Sequence, residues 1–87
     1  MISKRTSTFR DLFAALPEHV RRDADAAYQR FKANPEHPSL RFRRVHAHES
    51  VYSIRVGLHY RALALRQPDC WLWFWIGTHA DYDKLLG

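Results

Sequence analysis

Between residues 7 and 33 the apolar positions recur at helical spacing. Phe9, Leu12, Phe13 and Leu16 fall at i, i+3, i+4 and i+7, and Val20, Ala24, Ala27, Tyr28 and Phe31 repeat the rhythm. Two amphipathic helices are predicted, divided at Pro17, which ends the first and sits in the opening turn of the second. Ser7 or Thr8 is the expected cap of the first, Thr8 and Asp11 having capping-box spacing. So short a link makes the pair an antiparallel hairpin. The second helix stops at "ANPEHPSL", where Pro35 and Pro38 forbid continuation.

After Ser39 the period falls to two. "LRFRRV" sets Leu40 and Phe42 on one side and Arg41, Arg43 and Val45 on the other, and "VYSIRV" alternates Tyr52, Ile54 and Val56 against Ser53 and Arg55. A third strand, His59 to Leu65, follows Gly57, and a fourth, Cys70 to Ile76, is nearly all apolar, the mark of a central strand or one covered on both faces. Short links favour an antiparallel meander with the helical hairpin on one face and a short C-terminal turn or helix. The expected class is α+β, a helical hairpin on a four-stranded antiparallel sheet, with residues 1–87 forming a single domain.

The Gly57 turn leaves one register open. A loop of three residues, Gly57 to His59, pairs Arg55 with Arg61 on one face; a loop of two sends these arginines to opposite faces.

Composition sharpens this picture through charge. A hydrophobic fraction of 46% excludes disorder, while fourteen Lys and Arg against nine Asp and Glu give +5 and a pI near 9.9, which suits a polyanionic partner. Between His37 and Arg66 stand six arginines and one acid, Glu49, so the positive charge concentrates on the strands. A phosphate-binding face is one reading, and a solvated strand face is the other. The one cysteine, Cys70, forms no internal disulfide, and no leader-like segment opens the chain, so a reducing cytoplasmic location without membrane association is expected. Its apolar run is too short to span a bilayer as a helix.

Candidate chemistry is restricted. His46 and His48, with His37 or His59, lack the Cys pair, His-Glu-x-x-His helix or convergent acid of a zinc site, so turn or surface histidines are the better reading and no metal or cofactor is expected. No serine lies in a nucleophile elbow, and three glycines do not make a phosphate loop. What remains is a basic sheet with His79 and Tyr82 just beyond its last strand. Arginine binds phosphate with a rigid fork of donors and histidine exchanges a proton near neutrality, a combination suited to phosphodiester cleavage. A turn histidine without chemistry is the alternative.

The succession "LFAALPEHVRRDADAAYQRFKANPEHPSLRFRRV", "VYSIRVGLHYRAL" and "WFWIGTHADYDKLL" resembles the RelE/ParE superfamily of bacterial type II toxins from about Phe9 to Leu86. Its most specific elements are Tyr-Ser-Ile-Arg-Val followed by Tyr60-Arg61-Ala62-Leu63, and the ending Ile-Gly-Thr-His with a nearby Tyr. The resemblance implies the same fold and, in the RelE-like branch, metal-independent cleavage of mRNA in the ribosomal A site by attack of a 2′-hydroxyl. It maps a scissile-phosphate arginine onto Arg61, a YafQ-like general acid or base onto His79, and a recurrent aromatic, for stacking or proton transfer, onto Tyr82. These three form the candidate catalytic set, with Arg55, Arg43, Arg41 and Lys84 as candidate RNA-phosphate contacts.

The superfamily implies alternatives too: a ParE-like inhibitor of DNA gyrase, or a non-toxic binding module of the same fold. Either toxin reading implies a cognate antitoxin that lays an acidic segment on the basic face, with promoter DNA met only through that antitoxin. The aromatic run "WLWFWI" either offers it surface or, for at least two of the three tryptophans, packs between helices and sheet.

Overall fold

The computed structural model describes residues 2–45 and 50–86. In chain order its elements are β1 (Ile2–Arg5), α1 (Ser7–Ala14), α2 (Glu18–Ala33), a 3₁₀ turn (Pro38–Leu40), β2 (Arg43–Arg44), β3 (Val51–Val56), β4 (Tyr60–Gln67), β5 (Cys70–Thr78) and α3 (His79–Leu86). The α+β class holds, with two corrections to the sheet.

The first is an added strand. The sheet runs β1-β5-β4-β3-β2, and the expected four-stranded meander is its β2-to-β5 part. β1 lies parallel to β5, from Ile2 beside Cys70 to Arg5 beside Trp73. The sequence "ISKR" has no apolar alternation, so this strand is specified by the β5 backbone rather than by its own pattern. β5 is consequently interior, but the central strand is β4.

The second correction is to residues 40–45, where only Arg43–Arg44 are strand. Pro38 fixes the backbone at the start of a 3₁₀ turn, His37 Nδ1 accepts the Ser39 N–H at 3.2 Å, and Arg41 takes a left-handed conformation at φ 49°. The sidedness survives: Leu40 and Phe42 enter the core beneath the helices, and Val45 joins a cluster on the opposite face.

Thr6, not Ser7 or Thr8, caps α1; its Oγ1 accepts the Phe9 N–H at 3.0 Å. Pro17 stands at the cap position of α2, and its carbonyl accepts the Val20 and Arg21 N–H groups at 3.0 and 3.1 Å. Glu18 in the first turn and Arg30 and Lys32 in the last suit the helix dipole. α1 lies over β5 and α2 over β3, so each helix packs mainly on the sheet and the expected antiparallel hairpin is looser than a closely paired one. A cavity of about 390 Å³ is lined by Phe9 and Phe13 of α1, Ala24 and Tyr28 of α2, and Ala62 and Trp73 below.

The helix-side core joins Phe9, Val20, Ala27 and Phe31 to Ile54, Val56, Ala62, Ala64, Trp71, Trp73 and Ile76. Phe31 meets Trp71 and Trp73 edge-on, with ring centres 5.4 and 5.3 Å away. A register shift between Leu63 and Ala64 pairs them with Trp75 and Trp73, leaving Phe74 as an extra residue. Phe74 and Trp75 therefore both pack on the opposite face, with Val45, Leu63 and Tyr82. Two tryptophans lie under the helices and the third does not. Among the described residues no helix is long and apolar enough to cross a membrane.

Candidate functional site

The face away from α1 and α2 carries Arg43, Arg55 and Arg61, whereas Arg66 lies over Trp71 on the helix side. Gly57 adopts φ +59°, a conformation that favours glycine, and the loop Gly57 to His59 has three residues. Val56 pairs with Tyr60 and Arg55 with Arg61, which settles the open register in favour of one arginine face. Arg43 pairs with Ser53, extending that face across β2. Like charges directly opposite are unfavourable in a sheet, so the arrangement stores electrostatic repulsion that a bound anion would relieve.

Arg61 feels this most. Its burial, and then the charges of Arg55, Arg43 and Arg41, hold the guanidinium below its ordinary pKa, while the Tyr82 phenol acts in the opposite sense. It remains a cation at any physiological pH. The Arg55 Nε donates to the Gly57 carbonyl at 2.9 Å, tying that side chain to the loop.

α3 closes over the same face. Thr78 Oγ1 accepts the Asp81 N–H at 3.1 Å at its start, and Tyr82, 4% exposed, plugs it onto the sheet. The Tyr82 hydroxyl donates to Ser53 Oγ at 3.3 Å and accepts from Arg43 Nη2 at 3.4 Å. Arg61 Cζ stands 5.9 Å from the centre of its ring, and the His79 imidazole, one turn earlier, is 5.8 Å away edge-on. One buried phenol thus brings His79 and Arg61 to the same patch. His79 Nδ1 lies 3.1 Å from Asp83 Oδ2, one turn further along α3.

Of the residues singled out from sequence, Arg41, Arg43, Arg55, Arg61, His79 and Tyr82 share this face. Lys84 is exposed on α3 and, among the described residues, makes no hydrogen bond or ion pair with them. The stacking role expected for Tyr82 does not fit a ring 4% exposed, because no open face is left for a nucleobase. Ser53 and Asp83 were not foreseen; an i, i+4 His and Asp pair was the readable signal for Asp83. Gly77 carries the fourth strand past its expected end at Ile76. It lies inside β5 opposite Arg61, and a Cβ there would come within 2.6 Å of the Trp75 ring, so the glycine makes room for an aromatic and the chain turns only after Thr78.

Cys70 is buried, its thiol donating to Gln67 Oε1 at 2.9 Å. Among the described residues no three His, Cys, Asp or Glu side chains converge as a metal site. His46 and His48, weighed above as ligands, lie outside the described residues.

A helix-backed sheet whose other face carries arginines and, on α3, a histidine defines a small α+β domain with a basic face. The chain belongs to the ParE-like toxin domain family, whose model matches residues 18–84. Comparison with curated protein sequences gives no match. Solved structures with a similar fold include the RelB–RelE antitoxin–toxin complex of Methanococcus jannaschii, at 16% identity over 97% of this chain and 99% of that one, with a TM-score of 0.72. YafQ from Escherichia coli strain BL21(DE3) shares 8% identity over 92% of this chain and 94% of its own, with a TM-score of 0.75. A copper-bound mutant toxin from Helicobacter pylori shares 11% identity over 93% and 97%, with a TM-score of 0.66. At these identities the likeness is one of fold.

Proposed function

We propose that the chain is the toxin of a type II toxin–antitoxin pair and cleaves mRNA on the ribosome by 2′-hydroxyl attack. The observation that carries this reading is the placement of His79 and Arg61 against the same Tyr82 ring. Arg61, Arg55, Arg43 and Arg41 would hold the scissile and flanking phosphates and offset charge on the phosphoryl oxygens. His79 would transfer the proton. With Asp83 accepting from Nδ1–H, the ring is held in one orientation and its Nε2 keeps a free lone pair. Tyr82 would act from its buried place as the group that positions α3, and Lys84 as an outlying phosphate contact.

The test is to add the purified protein to translating ribosomes and map mRNA 5′ ends. Message is cut, and His79→Ala loses cutting by about 10²-fold or more while its thermal melt stays close to wild type, because an exposed side chain contributes little core area. Intact message at doses that arrest growth overturns the reading. A second reading, gyrase inhibition, is favoured by the ParE-like description of the matching family. It requires DNA cleaved in complex with gyrase while translation continues.

The partner follows from charge. An acidic antitoxin segment across the arginines would cover His79 and Arg61 together, and the solved RelB–RelE assembly shows a toxin of this fold in complex with its antitoxin. The proposed site of action is the cytoplasm.

A further inference from the structure

Cleaving a phosphodiester by 2′-hydroxyl attack moves two protons, one off the nucleophile and one onto the leaving oxygen. His79 supplies a single group for this. A second histidine is joined to it through the backbone. The β4–β5 ladder passes through Arg61 with Gly77 and Tyr60 with Thr78, and the next main-chain bond in line runs from the His79 N–H to the His59 carbonyl at 2.8 Å. The ladder thus reaches one step past both strands and sets His59, exposed in the β3–β4 loop, next to His79 at the rim of the arginine face. Arg61 follows two residues along β4, with Arg55 opposite.

On the nuclease reading above, we infer that His59 is a second catalytic residue and completes an acid–base pair with His79. Asp83 decides the division of labour. Its carboxylate accepts the Nδ1–H of His79 and so leaves the lone pair of the neutral ring on Nε2, which makes His79 the base and leaves the acid role to His59. His79 takes the 2′-hydroxyl proton, the 2′-oxygen bonds to phosphorus, and the bond from phosphorus to the 5′-oxygen breaks. The 5′-oxygen departs with the proton of the His59 imidazolium, leaving a 2′,3′-cyclic phosphate and a 5′-hydroxyl, and water returns both histidines to their starting states. The charged and titratable groups on the elements around the pair are Asp83 and Tyr82 from α3, Arg61 from β4, Arg55 from β3, bound to the loop at the Gly57 carbonyl, and Asp23 from α2, whose carboxylate lies against Gly57 of the same loop.

The experiment measures single-turnover cleavage on ribosomes across the pH range of histidine titration, with ordinary mRNA and with mRNA carrying a 5′-bridging sulfur at the cut position. Sulfur leaves without protonation, so it bypasses the acid alone. Wild type gives a bell-shaped profile. His59→Ala is slowed by about 10²-fold and loses the fall in rate at high pH, and the sulfur substrate restores it towards wild type while leaving His79→Ala slow. His59→Ala cutting at the wild-type rate with both limbs intact, or slowed without rescue by sulfur, overturns the inference while the nuclease reading stands. A wild-type protein that cuts neither substrate overturns both.

Discussion

Replacing Tyr82 by phenylalanine removes one hydroxyl and tests how α3 is held. Its two bonds, to Ser53 at 3.3 Å and from Arg43 at 3.4 Å, are long, but Ser53 is 1% exposed and would be left without that partner. Tyr82→Phe is expected to lower the unfolding free energy in urea by about 1 kcal/mol with little change in helical circular dichroism. Arg61, Arg55 and His79 were readable because a charged or titratable group interrupting an apolar pattern must face outward or do something. Ser53 was not, since a serine on the polar side of a strand reads as exposed. It is buried only because a tyrosine from another element reaches it, and sequence spacing holds no trace of such a long-range contact.

For the elements, the helices and the three long strands followed their periodicities, whereas the short pieces followed their neighbours. α1 and α2 were found to within a few residues. β1 and β2 have four and two residues, too few for alternation to be distinctive, and their pairing partners define them. β5 kept its place, yet the extra residue at Phe74 sends two adjacent aromatics to one face, which no strict period of two allows. Gly77 tests the consequence. A methyl group there must displace the Trp75 ring on the face that α3 covers, so Gly77→Ala is expected to cost about 1–3 kcal/mol, measured by chemical denaturation. A strand glycine serving only as a turn would tolerate the change.

Across the whole molecule, the proposed function makes the arginine face an exchange of stability for affinity. Arg55→Gln removes a like charge opposite Arg61 and is expected to raise the melting temperature slightly, the relief being worth about 0.5 kcal/mol. The same change should weaken binding to single-stranded RNA and flatten the slope of log K against log salt by about 0.7, the signature of one lost phosphate contact. Fluorescence anisotropy at several salt concentrations reads both. A melting temperature that falls and a slope that stays would instead make Arg55 a structural residue. The total charge was legible from composition, and its gathering on one face depended on the three-residue Gly57 loop, which only the register fixed.

The parallel pairing of β1 with β5 has a consequence in time. Residue 2 lies beside residue 70, so β1 has no partner until β2, β3, β4 and then β5 have been made. α3, which brings His79, follows later still. A nascent chain can gather its arginines on β3 and β4 early, but it acquires the complete sheet only once β5 has been made and the imidazole of α3 only after that. A chain released before Cys70–Thr78 would carry the charge without His79, to which proton transfer is assigned in the proposed function.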